Sequence, residues 1–238
     1  MKIRLDNLLV KKKLVETRSQ AENYIRLGKV LVDGEKQSKP GFFVREDSKI
    51  KILQENQYVS RAGMKLESVS KVLGLNFKNK VVLDVGSSTG GFTDFALRNG
   101  ALKVIAVDVG TNQLHPKLRV DQRVELHEKT DIRDFRTEQK IDTVVIDVSF
   151  ISLREILPSV VKIAPTAKIV AMVKPQFEAG KGGTVGGVVK NNSYRRQILQ
   201  DFEVWCRNNK LAILQKRDSE VKGTKGNQER FYLLSCIK

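Results

Sequence analysis

An α/β fold is predicted: a doubly wound, mostly parallel sheet of seven strands, preceded by a small α+β domain. Three observations carry this. Apolar runs that read as buried strands alternate with helical segments through most of the chain. The first of these runs, Val81-Val82-Leu83-Asp84-Val85, enters a turn of small residues and a helix follows, the arrangement that builds a ligand pocket at the carboxyl end of a parallel strand. Residues 1–57 break the alternation, with two short amphipathic helices and two short strands separated by turn formers.

In chain order, Ile3, Leu5, Leu8 and Leu9 recur at helical spacing. Thr17 is placed to cap a second helix carrying Ala21, Tyr24, Ile25 and Leu27, which Gly28 ends. Val30-Leu31-Val32 reads as a strand entering a tight turn at Asp33-Gly34. Pro40-Gly41 marks another turn before the alternating strand Lys49-Ile50-Lys51-Ile52. A polar connector, Gln54 to Val59, leads into residues 58–238. Ser60 can cap a helix that bears Lys65 and turns Met64, Val69, Val72 and Leu73 toward a core. Beyond the first sheet strand, a helix over 93–98 stops at Gly100. The second strand, 104–107, ends at Asp108. The third, 124–126, is followed by Asp131-Ile132, and the fourth, 141–148, carries Asp147. A helix over 153–163 should bend at Pro158. The fifth strand, 168–173, ends at Lys174-Pro175. Gly180-Lys181-Gly182-Gly183-Thr184-Val185-Gly186-Gly187 reads as a lid or as a surface loop. A long helix from near Ser193 precedes two closing strands, 211–216 and 230–236, the last opened by Glu229.

The formal net charge of +16 implies a polyanionic partner, a nucleic acid or a membrane surface. No run of about eighteen apolar residues exists and Met1-Lys2-Ile3-Arg4 leads into no signal core, so a soluble, cytoplasmic protein is expected. Cys206 and Cys236 are too few for a disulfide framework, and His115 and His127 have no paired ligand spacing, so no metal is expected.

The turn after the first sheet strand narrows the ligand. A dinucleotide fingerprint needs a central glycine where Ser88 stands, and no Gly-Lys-Ser/Thr follows as a phosphate loop would require. The form Asp84-x-Gly86-x-x-x-Gly90-Gly91 resembles motif I of S-adenosylmethionine (SAM) methyltransferases, the alternative being a structural turn without ligand. That resemblance implies SAM as cofactor in a Rossmann-like sheet. The candidate contacts are Asp84, Gly86, Ser87, Ser88, Thr89, Gly90, Gly91 and Phe92, with Asp108 for the ribose hydroxyls and Asp131 beyond the third strand.

Asp147 and Lys174 lie at carboxyl ends of predicted strands, where ligands bind. With Lys65 and Glu229 they form a Lys-Asp-Lys-Glu set that resembles the catalytic tetrad of 2′-O-ribose methyltransferases. The chemistry suits these residue types. A ribose hydroxyl is a poor nucleophile until its proton is drawn off, a lysine can take that proton or balance the alkoxide, and two carboxylates fix the lysines. Marks of rival chemistries are missing. The fourth strand leads into Asp147-Val148-Ser149-Phe150, not the Asn/Asp-Pro-Pro-Tyr/Phe of an amine methylase, and no cysteine lies there for attack on a pyrimidine ring.

Arg4-Leu5-Asp6, Thr17-Arg18-x-x-Ala21 and Gly28-x-Val30-x-Val32-Asp33-Gly34 together resemble the S4 RNA-binding domain. That resemblance makes Arg4, Lys11, Lys12, Lys13, Arg18 and Arg26 the candidates for RNA contact. Over nearly its whole length the chain resembles the TlyA (hemolysin A) family. The resemblance is carried by Val59-Ser60-Arg61-x-Gly63-x-Lys65-Leu66, the motif I run, Asp147-x-Ser149-Phe150-Ile151-Ser152-Leu153, Val173-Lys174-Pro175-Gln176-Phe177-Glu178 and Gly226-Asn227-x-Glu229. It implies an S4 domain joined to an FtsJ-like methyltransferase domain, and 2′-O-methylation of a cytidine in large-subunit ribosomal RNA by a monomer acting on RNA or a ribosomal subunit. The chain resembles the shorter form of the family. It departs from it in the connector, where Asn56-Gln57-Tyr58-Val59 replaces the frequent Arg-x-Trp-Val. Two other classes stay open at this point: a ribosome-assembly factor with a vestigial pocket, and a membrane-lytic protein.

Overall fold

The computed structural model describes residues 2–15, 17–53, 58–180, 184, 186–223 and 226–237. Contacts divide the chain into two units, Met1–Gln57 and Tyr58–Lys238.

The first unit runs β1 (Lys2–Arg4), α1 (Leu5–Lys11), α2 (Arg18–Arg26), β2 (Val30–Val32), β3 (Glu35–Gln37), β4 (Phe43–Arg45) and β5 (Ile50–Ile52). Its core is the apolar stripe of the two helices, Leu5, Leu8, Leu9, Ala21 and Ile25, closed by Val30. Thr17 caps α2 as expected, its hydroxyl accepting from the Gln20 N–H at 3.2 Å. Ile3 departs from expectation. It lies in β1, antiparallel to β4 and opposite Val44, where a β-branched side chain has a cross-strand partner. β2 is the centre of a second sheet ordered β3-β2-β5.

The second unit opens with α3 (Arg61–Ser70), β6 (Val81–Val85), α4 (Gly91–Arg98), β7 (Lys103–Val107), α5 (Pro116–Arg119) and β8 (Val124–His127). It continues with β9 (Thr143–Ile146), α6 (Leu153–Ile163), β10 (Lys168–Val173), α7 (Pro175–Glu178), α8 (Asn192–Asn208), β11 (Leu211–Asp218) and β12 (Arg230–Cys236). The seven strands form one sheet in the order β11-β12-β10-β9-β6-β7-β8. β6 to β10 are parallel, and β12 runs antiparallel to both β10 and β11. The strand order reverses between β6 and β9, so the connections that follow them leave in opposite directions and open a crevice outside their carboxyl ends, the usual ligand position in such sheets.

Period-two alternation divides the buried strand residues between two cores. Leu83, Ile105 and Val144 pack on one face with Ile156 and Val160 of α6 and Phe202 of α8. Val82, Val104 and Val145 face the other way, toward Leu66 and Val69 of α3 and Phe95 of α4. Val72, expected in that stripe, is exposed, because α3 ends at Ser70 and the chain turns before reaching it. β9 is shorter than expected, which leaves Asp147 and Val148 beyond the strand and at the crevice.

Gly63 and Gly91 let α3 and α4 touch. A Cβ on Gly91 would fall 2.3 Å from the Ser60 hydroxyl and 2.8 Å from the Gly63 nitrogen. Gly91→Ala should therefore destabilise the protein by about 1–3 kcal/mol through overpacking, lowering Tm by about 2–4 °C per kcal/mol. An unchanged melting curve would show that the two helices separate freely.

Of the connector, Tyr58 and Val59 belong to the second unit. Val59 donates its N–H to Asp94 Oδ2 at 2.8 Å, and the Tyr58 ring lies 5.5 Å from Phe95 with the Arg98 guanidinium over it at 5.4 Å. Residues 54–57, and residues 181–183 and 185 of the glycine-rich run, lie outside the described residues. Among the described residues no helix is long and apolar enough to cross a membrane.

Candidate active site

The motif I turn takes the conformation its glycines allow. Gly86 has φ +79°, and a Cβ there would sit 2.8 Å from the Asp147 carbonyl oxygen, so the glycine permits β6 and β9 to meet at their ends. Asp108, one residue past β7, is tied to the turn. Its Oδ2 accepts from the Ser88 N–H at 2.8 Å and its Oδ1 from the Gly110 N–H at 2.6 Å. Each carboxylate oxygen retains acceptor capacity, and Asp108 lines a cleft of about 350 Å³ together with Gly86, Ser88, Asp131, Asp147 and Phe150. Asp131 is at this cleft but engaged: Arg133 donates to both its oxygens, at 3.0 and 2.6 Å, and holds the carboxyl below its ordinary pKa.

Beside the cleft is a smaller cavity of about 80 Å³, lined among others by Ser60, Asp84, Ser87, Thr89, Gly91 and Phe92. Three buried polar atoms in its wall, Ser60 Oγ, Asp84 Oδ1 and Ser87 Oγ, make no hydrogen bond among the described residues. Asp84 is fully buried, and its other oxygen accepts from the Thr93 hydroxyl at 2.6 Å. Burial pushes the Asp84 carboxyl up to about 7; the Thr93 bond opposes this and the nearby Asp147 and Asp108 charges add to it. Orphaned buried polar atoms are costly, so such a set suits a polar ligand. A carboxylate acceptor fits an ammonium, and two hydroxyls fit a carboxylate. Together with Asp108 for a ribose, the donor set matches the amino-acid and nucleoside ends of SAM. The sequence presents Ser60 as a helix cap and as part of a family motif, without marking it as a cofactor contact. It is the N-cap of α3 but makes no capping hydrogen bond, because its side chain lies against Gly91 in the cavity wall.

Lys65, Asp147, Lys174 and Glu229 form two ion pairs. Lys174 Nζ is 2.6 Å from Asp147 Oδ1, and Lys65 Nζ is 2.6 Å from Glu229 Oε2. Parallel pairing of β9 and β10 brings Asp147 and Lys174 to adjacent strand ends. Glu229 joins them because β12 is antiparallel: its first residue, Arg230, pairs with Val173 at the end of β10. Lys65 comes from the middle of α3. All four are largely buried, and Lys65, Lys174 and Glu229 line a second cavity of about 420 Å³. Ser149 and Phe150 line both this cavity and the 350 Å³ cleft. Neither was singled out as a site residue from sequence. The Ser149 hydroxyl accepts from Lys174 Nζ at 2.8 Å. Phe150 is 92 % exposed at φ +66°, an uncommon conformation for an aromatic residue, with its ring 5.2 Å from Phe177. No cluster placed to hold a metal ion occurs among the described residues.

In the first unit, Arg4 and Arg18 converge on a buried carboxylate. Arg4 donates to the two oxygens of Asp6 at 3.1 and 2.7 Å, and Arg18 Nε to Oδ2 at 3.0 Å. The arginines hold the Asp6 carboxyl below its ordinary pKa while their own side chains stay partly exposed. Lys11 pairs with Glu46, and Arg26 lies 3.7 Å from Glu22. Lys12 and Lys13 are exposed at the end of α1.

Residues 58–235 match the family model of the FtsJ-like methyltransferase, and residues 3–50 match that of the S4 domain. The chain is 37 % identical over 238 residues to the 16S/23S rRNA (cytidine-2′-O)-methyltransferase TlyA of Mycobacterium tuberculosis, covering 97 % of this chain and 89 % of that protein. It is 42 % identical over 177 residues to the 23S rRNA (cytidine-2′-O)-methyltransferase TlyA of Campylobacter jejuni, covering 74 % of this chain and 70 % of the other. A solved structure from Streptococcus thermophilus that carries the hemolysin name superposes with a TM-score of 0.77 at 39 % identity, over 100 % of this chain and 89 % of that one. The chain belongs to the TlyA (hemolysin A) family, an S4 domain followed by a SAM-dependent methyltransferase domain of the FtsJ-like type.

Proposed function

We propose that this protein methylates the 2′-hydroxyl of a cytidine in large-subunit (23S) ribosomal RNA, with residues 58–238 as the catalytic domain and residues 1–57 as the RNA-binding one. The observation that carries the reading is the pair of buried ion contacts, Lys174–Asp147 and Lys65–Glu229, at a cavity that adjoins the cleft lined by Asp108. When bound, SAM supplies an already activated sulfonium methyl. The residues of this chain then have four tasks. Asp108 takes the ribose of the cofactor, while Asp84, Ser60 and Ser87 take its amino-acid end. Lys174, oriented by Asp147 and Ser149, takes up the 2′-hydroxyl proton of the substrate when its amine is neutral or, as the ammonium, balances the negative charge that develops on the 2′-oxygen. Lys65, oriented by Glu229, adds a second positive charge beside it. Burial strengthens these interactions, and their fixed geometry accounts for most of the remaining acceleration. The exposed ring of Phe150 gives a nucleobase a surface to stack on.

The relatives' printed activities point the same way, and the +16 charge suits an RNA partner. In this reading the enzyme works as a cytoplasmic monomer, and Arg4, Lys11, Lys12, Lys13, Arg18 and Arg26 meet the RNA backbone. Asp6 orients two of them. Removal of residues 1–57 should reduce RNA affinity and flatten its salt dependence, because fewer phosphates are neutralised. Retention of the full salt slope would move RNA binding to the catalytic unit.

The deciding experiment is transfer of a tritiated methyl group from SAM to separated ribosomal subunits and to naked RNA, followed by mapping of the label. Label on a large-subunit ribose is the expected result. Label on a base, or none, overturns the reading.

Asp84 makes cofactor binding pH-dependent. Its folded pKa of about 7 lies above the ordinary carboxylate value of 3.8, so the ligand-free fold holds a proton that the unfolded chain gives up. Stability from this group is present at low pH and declines as pH rises toward 7. A ligand ammonium selects the ionised form, so SAM affinity should rise ~5-fold between pH 6 and 7, and Asp84→Asn should abolish the rise. Calorimetric titration at the two pH values checks this, and parallel slopes for the two proteins would remove Asp84 from the binding site.

A further inference from the structure

Two chain segments meet at the catalytic cavity: residues 147–152, between β9 and α6, and residues 174–178, formed by Lys174 and α7. Their side chains join them rung by rung. Lys174 contacts Asp147 at 2.6 Å and donates to Ser149 at 2.8 Å. Phe177 lies 5.2 Å from Phe150. The last rung is Glu178, whose side chain is 1 % exposed. Its Oε2 accepts from the Ser152 hydroxyl at 2.6 Å and its Oε1 from the Leu153 N–H at 2.7 Å, with Arg154 Nε 3.6 Å away. Ser152 is the N-cap of α6 and Leu153 its first residue, so Glu178 grips the start of that helix. A carboxylate at a helix N-terminus meets free backbone donors and the positive end of the dipole. The grip also closes a loop of contacts. Asp147–Lys174 is one end of the ladder and Ser152/Leu153–Glu178 the other, and only three residues separate Lys174 from Glu178 along the chain.

We propose that Glu178 is a positioning residue for methyl transfer, holding the start of α6 so that the 147–152 segment keeps Asp147 and Ser149 on Lys174. Freed of Glu178, that segment would be anchored at its far end only by the helix, and the Lys174 ammonium would lose its fixed direction. The inference rests on the reading of Lys174 as a catalytic group. Displacement of such a group by about an ångström costs on the order of 100-fold in rate.

Single-turnover rates at saturating SAM and RNA, with separate SAM and RNA affinities, test this in the full-length protein. The variants are Glu178→Ala, Glu178→Gln, Lys174→Ala and the double variant Glu178→Ala/Lys174→Ala. Glu178→Ala is expected to slow the step ~10- to 100-fold with both affinities within about twofold of the parent. Glu178→Gln should recover part of the rate, since its amide oxygen still accepts one of the two hydrogen bonds. In the Lys174→Ala background the same Glu178→Ala change should cost no more than about twofold, because the residue it positions is gone. A purely structural loss would instead lower the rate by the same factor in both backgrounds, and that result overturns the proposal. So does a parental rate for Glu178→Ala while Lys174→Ala is impaired. A parental rate for Lys174→Ala itself removes the underlying assignment, and the proposal with it. Should Glu178→Ala fail to fold, Ser152→Ala, which deletes one hydrogen bond to Glu178, takes its place in the same cycle under the same criteria.

Discussion

Lys174→Ala is expected to lower turnover by at least ~100-fold, the scale of a lost general acid or base, and to leave SAM affinity nearly unchanged. The two parts of the prediction come from different walls of the site. Lys174 lines the 420 Å³ cavity but not the cleft that holds Asp108. Its Nζ is the cation on Asp147, and its truncation leaves that carboxylate partly buried without the contact at 2.6 Å. The loss should therefore appear in the chemical step, measured as single-turnover rate at saturating cofactor, and not in a SAM titration. Near-normal turnover would remove Lys174 from the mechanism. Weakened SAM binding of the same size as the rate loss would mean that the two cavities act as one.

Asp108→Ala should show the opposite separation. SAM affinity is expected to fall by ~1.5–3 kcal/mol, as for a lost charge-assisted hydrogen bond, or about 10- to 150-fold in Kd. RNA affinity should not change. The carboxylate also accepts from Ser88 and Gly110 N–H groups, so its removal frees two backbone donors that now set the shape of the turn. Part of the measured loss will come from that relaxation. Asp108→Asn separates the contributions, because it keeps one acceptor oxygen while removing the charge. Unchanged SAM affinity in Asp108→Ala would show that this carboxylate does not hold the ribose.

Much of the architecture was legible because parallel strands buried on both faces are written as predominantly apolar runs. Val81–Val85 and Lys168–Val173 have the predicted bounds for that reason. In the first unit, β1, β3 and β4 are three residues long and carry polar or charged side chains, too short for a periodicity to register. The helical spacing of its neighbours absorbs Ile3, since nothing local announces a strand partner 41 positions away at Val44.

The candidate site divides along the same line. Residue types and their order along the chain were set by the sequence alone: acidic and basic groups at strand ends, glycines at the turn, and the family motifs around them. Which groups touch was decided by the tertiary structure. Glu229 meets Lys65 because β12 runs antiparallel to β10 and returns its first residues to the end of the sheet where the crevice lies. Ser60 faces the small cavity because two glycines allow α3 against α4, which turns its hydroxyl from capping to pocket lining. Ser149 and Glu178 became recognisable only once the 147–152 segment and the 174–178 segment had closed into one ladder. Local pattern reports hydrogen-bonding and burial preferences of neighbours in the chain, while a pairing such as Lys65 with Glu229 depends on long-range strand order and direction.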